Sequence, residues 1–246
     1  MNSLIFEKLN RKYNSYDVVK DIAFITMIID HIGYYLMPKL LVLRLIGRIS
    51  AVLYTILFGI SVRKNMDKLF TFAILMTLFQ MFMFGRIFPL NILFNFFLSV
   101  LMIDYVETVY EKYPYVFFCL FLPLLLPLGI LTDQVTEYGI FLVFYMFCGR
   151  IFSKDKKSKK DLITTIIIFI IYFVYSTNNF RFNLIQSIIL FIFLIFIYIN
   201  MFGFKIKDIE NVKCETFLLV ISRYSIELFL VQTIVFSYLL KLLFLW

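Results

Sequence analysis

The sequence predicts an all-α polytopic membrane protein of about nine transmembrane helices (eight to ten), with its N-terminus on the cytoplasmic side. Three observations predict it. The chain of 246 residues is 62% hydrophobic and 16% charged, where a soluble domain carries about 25% charged residues. Its apolar residues fall into stretches close to the ~20 residues that cross a bilayer. Its Lys and Arg alternate between the connecting segments, as cytoplasmic loops require.

The apolar stretches run, in order, over Val18–Met37, Ile46–Val62, Leu69–Phe84, Leu90–Ile103, Tyr115–Leu131, Tyr138–Phe152, Leu162–Thr177, Leu184–Phe202 and Tyr224–Trp246. The first is too long for a signal peptide and lacks a small-residue cleavage site, so it reads as a retained span. The fourth extends toward Tyr110 if Asp104 and Glu107 sit at the interface. The fifth holds Pro123 and Pro127, which remove backbone donors and predict a kink. Between the stretches the longest polar segment is about a dozen residues. That leaves no room for a soluble domain, and residues 1–246 read as one integral-membrane domain.

With the N-terminus inside, the cytoplasmic segments hold Lys8, Arg11 and Lys12, then Arg63, Lys64 and Lys68, then Lys112, then Arg150 and the run through Lys160, then Lys205, Lys207 and Lys213. The opposite side keeps Lys39, Arg44, Arg86, Arg181 and Lys241. The net charge of +8 is thus explained by topology and calls for membrane lipid, not nucleic acid, as its partner. Three widely spaced cysteines make neither a disulfide framework nor a metal site.

Chemistry concentrates in the first two spans. His31, the single histidine, follows Asp30 inside the first. Such groups cost about 2.5–3.5 kcal/mol each in a membrane and usually line a site or pathway. Lys20 stands eleven residues earlier, which is almost three helical turns. Both side chains therefore share a face, about 16 Å apart along the axis. Asp30 lies about 100° round from His31 and so suits a partner on a neighbouring helix. Arg44 and Arg48 stand four apart on one face of the second span. Arg48 lies near the depth of Asp30, so an Arg–Asp pair satisfies both charges, and Gly47 allows close approach. Asn91, Asn95 and Gln80 read as interhelical hydrogen-bonding groups. Glu227 and Gln232 in the last span must find partners.

The run Met27-Ile-Ile-Asp30-His31-Ile-Gly33, with Ile46-Gly47-Arg48-Ile49, resembles the opening of the TraX family. Leu90-Asn91-Ile-Leu-Phe-Asn95 resembles its fourth-span segment. The Lys20-x10-His31 spacing is similar to the Arg/Lys-x10-His motif of the larger acyltransferase-3 superfamily. Tyr224-Ser225-Ile-Glu-Leu-Phe229-Leu-Val-Gln232 is similar to a late motif of that superfamily, with Gln232 where its histidine stands. The Pro usual after Gly-Arg in TraX proteins is absent, with Val52 near that place.

The resemblance implies a multi-pass enzyme of the bacterial inner membrane. It implies transfer of an acetyl group from cytoplasmic acetyl-CoA, with no metal. The acceptor is a pilin-like peptide N-terminus by the TraX resemblance, or a surface-glycan hydroxyl by the other. His31 would be the general base, Asp30 its electrostatic partner and Arg48 the stabiliser of the oxyanion. Lys20, Arg63, Lys64 and Lys68 would hold the donor phosphates. Arg44, Asn91, Asn95, Glu227 and Gln232 are further pocket candidates. Gln232 cannot act as a base, so a mechanism with two histidines is excluded. The residues alone leave two other classes open: a proton-coupled transporter or flippase using Asp30 and His31 as a relay, and a non-catalytic assembly factor.

Overall fold

The computed structural model describes residues 12–61, 66–85, 87–210 and 214–244, the last five of these by backbone alone. Its helices are α1 (Ser15–His31), continued by a π-helical turn over Ile32–Leu36; α2 (Leu41–Ile60); α3 (Met66–Phe84); α4 (Ile92–Lys112); α5 (Pro114–Asp133); α6 (Phe141–Phe152); α7 (Lys159–Phe180); α8 (Leu184–Phe202); α9 (Glu215–Arg223); and α10 (Ser225–Phe244). No strand occurs among the described residues. The chain forms two compact units. The first holds residues up to Tyr54 and from Gly203 onward; the second is Thr55–Phe202.

In the first unit, α1 starts at a capping box. The Asn14 side chain accepts from the backbone N–H groups of Tyr16 and Asp17, and the Asp17 carboxylate accepts from Asn14 N–H. These bonds satisfy donors that a helix N-terminus otherwise leaves orphaned. The chain turns at Pro38 and returns as α2. Contact between α1 and α9 is polar: Ser222 Oγ donates to Asp17 Oδ1 at 2.6 Å, and Lys20 Nζ donates to the Ser222 carbonyl at 2.6 Å. That carbonyl is in the last turn of α9, where helical partners run out. The chain then bends by 78° into α10.

The second unit is organised around α6, whose residues are buried except Arg150. A twelve-residue helix is about 18 Å long, which suits a core element and not an upright crossing. The end of α2 meets α6 at two glycines. A Cβ on Gly59 would lie 2.0 Å from the Met146 carbonyl oxygen, and one on Gly149 would lie 2.1 Å from the Ile56 carbonyl oxygen. Both obstacles are backbone and cannot swing aside. Gly149→Ala should therefore cost about 1–3 kcal/mol, read as a lowered thermal midpoint in detergent. Gly203→Ala, with nothing within 4 Å, should leave the midpoint unchanged.

Arg150 at the end of α6 and Lys154 after it are held in ion pairs. Arg150 reaches Asp104 at 3.2 Å and Lys154 reaches Glu111 at 2.7 Å. Burial works against the Lys154 ammonium. Its hydrogen bond to Glu111 and the nearby Asp161 carboxylate outweigh that, so it holds its proton more tightly than a free lysine. In α5, a π-helical turn over Phe117–Phe121 leads into Pro123. Cys119, whose carbonyl the proline ring would strike in a regular helix, sits in that turn.

Among the described residues six helices, α2, α3, α4, α5, α7 and α8, are long and apolar enough to cross a membrane; the bent pair α9–α10 makes a seventh if it counts as one span. The sequence reading of about nine also counted the first and sixth stretches. The first folds as the 17 residues of α1 running on through the π-helical turn to Leu36, and the sixth as a helix of 12 residues, shorter than an ordinary crossing.

Candidate functional site

His31 is the last residue of α1, and the helix widens immediately after it into the π-helical turn. Such turns are rare and occur often at functional sites. Here the turn places the Tyr35 ring edge-on to the imidazole at 5.8 Å. From α10 come Phe229, at 5.6 Å between ring centroids, and Phe236, at 6.3 Å. Gln232 lies between them in sequence, and its Nε2 donates to His31 Nδ1 at 2.8 Å. Positions 229, 232 and 236 are three and four apart, hence one helical face. The imidazole therefore sits among three aromatic rings with one amide on its Nδ1.

Asp30 points the other way, onto α2. Its carboxylate meets Arg44 Nη1 at 3.0 Å and Arg48 Nη2 at 3.1 Å. Arg48 also contacts the second carboxylate oxygen at 3.2 Å and donates from Nε to the Arg44 carbonyl at 3.3 Å. Arg44 donates to the Asp30 carbonyl at 3.3 Å and lies over the Tyr34 ring at 5.0 Å. Asp30 is 8% exposed and Arg48 4%, so the ion pair works in a low dielectric, where charges act strongly on whatever is beside them. Gly47 makes the contact possible, because a Cβ there would lie 2.1 Å from Asp30 Oδ1. The arrangement sets the imidazole next in sequence to a carboxylate that two guanidinium groups hold.

His31, Asp30, Arg44, Arg48 and Gln232 are thus brought together within the first unit. Lys20 is in that unit too, with its ammonium on the Ser222 carbonyl and 5.9 Å from the Tyr16 ring centroid. Glu227 stands in the first turn of α10. Asn91 and Asn95 belong to the second unit. Asn91 caps α4, accepting from Phe94 N–H, and donates to the Ala73 carbonyl and Thr77 Oγ1. Asn95 donates to the carbonyls of Glu137 and Gly139. Lys68 lies in α3 of the same second unit. Arg63 and Lys64 fall outside the described residues. Among the described residues, no group of three His, Cys, Asp or Glu side chains is placed to hold a metal ion.

Sequence reasoning missed the rings of Tyr35, Phe229 and Phe236. The 229–232–236 spacing on α10 is a visible signal that one face could meet a single partner. Nothing in the sequence marks the π-helical turn.

The chain matches the family model described as TraX protein over residues 15–222. It belongs to the TraX family. An uncharacterized protein of Rickettsia prowazekii (strain Madrid E) is 27% identical over 237 residues, covering 92% of each chain. No solved structure matches. The residues matched to TraX include Lys20, Asp30, His31, Arg44 and Arg48. They end at Ser222, before α10 and its Gln232.

Proposed function

We propose that this TraX-family protein is a membrane-integral acyltransferase that moves an acetyl group from acetyl-CoA to an amine or hydroxyl. A peptide N-terminus of the pilin type is the first choice of acceptor. The observation that carries the reading is His31, hydrogen-bonded at Nδ1, directly following Asp30, whose carboxylate holds two guanidinium groups. Acyl transfer needs both parts: a base for the incoming nucleophile and a positive field for the oxyanion.

The acceptor nitrogen or oxygen attacks the thioester carbonyl carbon. Its proton passes to His31 Nε2. The tetrahedral oxyanion forms in the field of Arg44 and Arg48. The C–S bond then breaks, coenzyme A leaves as thiolate, and the proton on His31 neutralises it. Within the first unit, the basic residue assigned to the donor phosphates is Lys20. An ammonium has three donors, so the bond from Lys20 to Ser222 does not preclude a phosphate. The positive-inside rule supports a cytoplasmic N-terminus and, with it, a cytoplasmic donor; the proposed location is the bacterial inner membrane. A surface-glycan hydroxyl is the second choice of acceptor, supported by the likeness of residues 224–232 to the late acyltransferase-3 motif.

The test is an assay of protein purified in detergent with acetyl-labelled coenzyme A and either a model N-terminal peptide or a glycan acceptor. Labelled product with release of coenzyme A is expected. A protein that neither binds nor turns over the donor overturns the reading, and pH-driven transport by such a protein would point to the relay alternative.

A further inference from the structure

An imidazole can serve as a base at Nε2 only if its own proton sits on Nδ1. The contact seen at His31 has the opposite sense: Gln232 Nε2–H fills the Nδ1 lone pair, so the neutral ring carries its proton on Nε2 and has no electron pair to offer there. The other end of the same amide, Gln232 Oε1, is buried with no hydrogen-bond partner among the described residues. A half-turn of the amide about Cγ–Cδ exchanges the two ends. Oε1 then accepts from Nδ1–H, and Nε2 is left bare. The same orientation is required once Nε2 has taken a proton, because both ring nitrogens then donate.

The neighbours leave this task to Gln232. The other groups against the ring are the aromatic faces and edges of Tyr35, Phe229 and Phe236. Asp30, adjacent in sequence, has both carboxylate oxygens on arginines. Gln232 is held by the helix at its backbone, and exchange of its two amide ends needs only one side-chain torsion.

We infer that Gln232 is the positioning residue of His31: its amide sets which ring nitrogen carries the proton, and the reactive state is the one with Oε1 on Nδ1–H. The word reactive rests on the acyl-transfer reading above; the tautomer control does not. An amide suits a site that must pass between both states, being donor at one end and acceptor at the other.

His31 is the single histidine of the chain. Protein labelled with 15N-histidine and purified by a tag without histidine thus reports one ring and two nitrogens. In the wild type the expected resting spectrum has Nε2 protonated and Nδ1 accepting. Gln232→Glu, isosteric and able only to accept, should move the proton to Nδ1. In the transfer assay that variant should stay within about tenfold of wild type, with the acid limb of its pH–rate profile displaced to higher pH. Gln232→Met, similar in shape but unable to orient the ring, should lose on the order of 10²-fold in kcat, with KM for the donor unchanged.

An identical tautomer in wild type and Gln232→Glu overturns the inference. So does a Gln232→Met variant with the wild-type rate and pH profile. Spectra that follow the residue at 232 while no form transfers acetyl uphold the pairing and overturn acyl transfer. Transfer with spectra indifferent to residue 232 does the reverse.

Discussion

Replacing Asp30 by asparagine is expected to destabilise the first unit by about 3–5 kcal/mol, the cost of removing one partner from a buried ion pair. The Asp30 carboxylate is the counter-charge for Arg44 and Arg48, which stand one turn apart on α2 and come within 3.0 and 3.1 Å of it. Without it, two like charges face each other, and Arg48, 4% exposed, cannot turn to water. Asparagine keeps the shape that the missing Cβ of Gly47 accommodates, so the loss reports charge and not packing. The lowered thermal midpoint should be partly restored by Asp30→Asn combined with Arg48→Met, because removing both partners of a buried pair costs far less than removing one. A single variant as stable as wild type would show that the pair does not hold α1 to α2.

The Asp30–Arg48 contact was legible because helical phase and depth are arithmetic. Asp30 lies about 100° from His31, so the two could not serve one partner, and antiparallel spans joined by a short turn put residue 48 opposite residue 30. Gly47 was legible for the same reason. The second arginine was harder: Arg44, one turn from Arg48, also meets Asp30 at 3.0 Å, a convergence that spacing alone does not require. Lys20 shows the limit of the method. Its phase with His31 suggested a ligand-binding face, yet its ammonium meets the carbonyl of Ser222, more than 200 residues away in sequence. That partner exists because the chain bends at Tyr224 and exposes the last carbonyls of α9. The polarity of Gln232 was read as a missing histidine and therefore a missing base. Its contact with His31 could not be read, since it joins two helices about 200 residues apart in sequence. Span counting meets a related limit. Apolar length separates helix from loop, but α6 is apolar because it is surrounded by protein, and composition does not distinguish that from lipid.

Removing the base should cost different amounts with different acceptors, and this makes His31→Ala the sharper test of both the residue and the substrate. A peptide α-amine has a pKa of about 7.7–8.0, so at pH 7 roughly a tenth of it is already the neutral nucleophile. With such an acceptor His31→Ala should lose about tenfold at pH 7 and recover most of the loss at pH 9, where nearly all the amine is neutral. A glycan hydroxyl has no such reserve; its proton must leave as the C–O bond forms. With that acceptor the variant should lose about 10²–10⁴-fold, the usual worth of a general base, at every pH between 6 and 9. The measurement is kcat/KM for labelled acetyl transfer across that range, with both acceptors. An equal, pH-independent loss on both would mean that alanine merely collapses the space between Tyr35, Phe229 and Phe236, and the base assignment would fall. No loss on either would remove His31 from the chemistry altogether. A loss on the peptide that pH repairs, beside a loss on the glycan that it does not, is the pattern that a proton-accepting His31 requires. The acceptor turned over faster by wild type then names the substrate class.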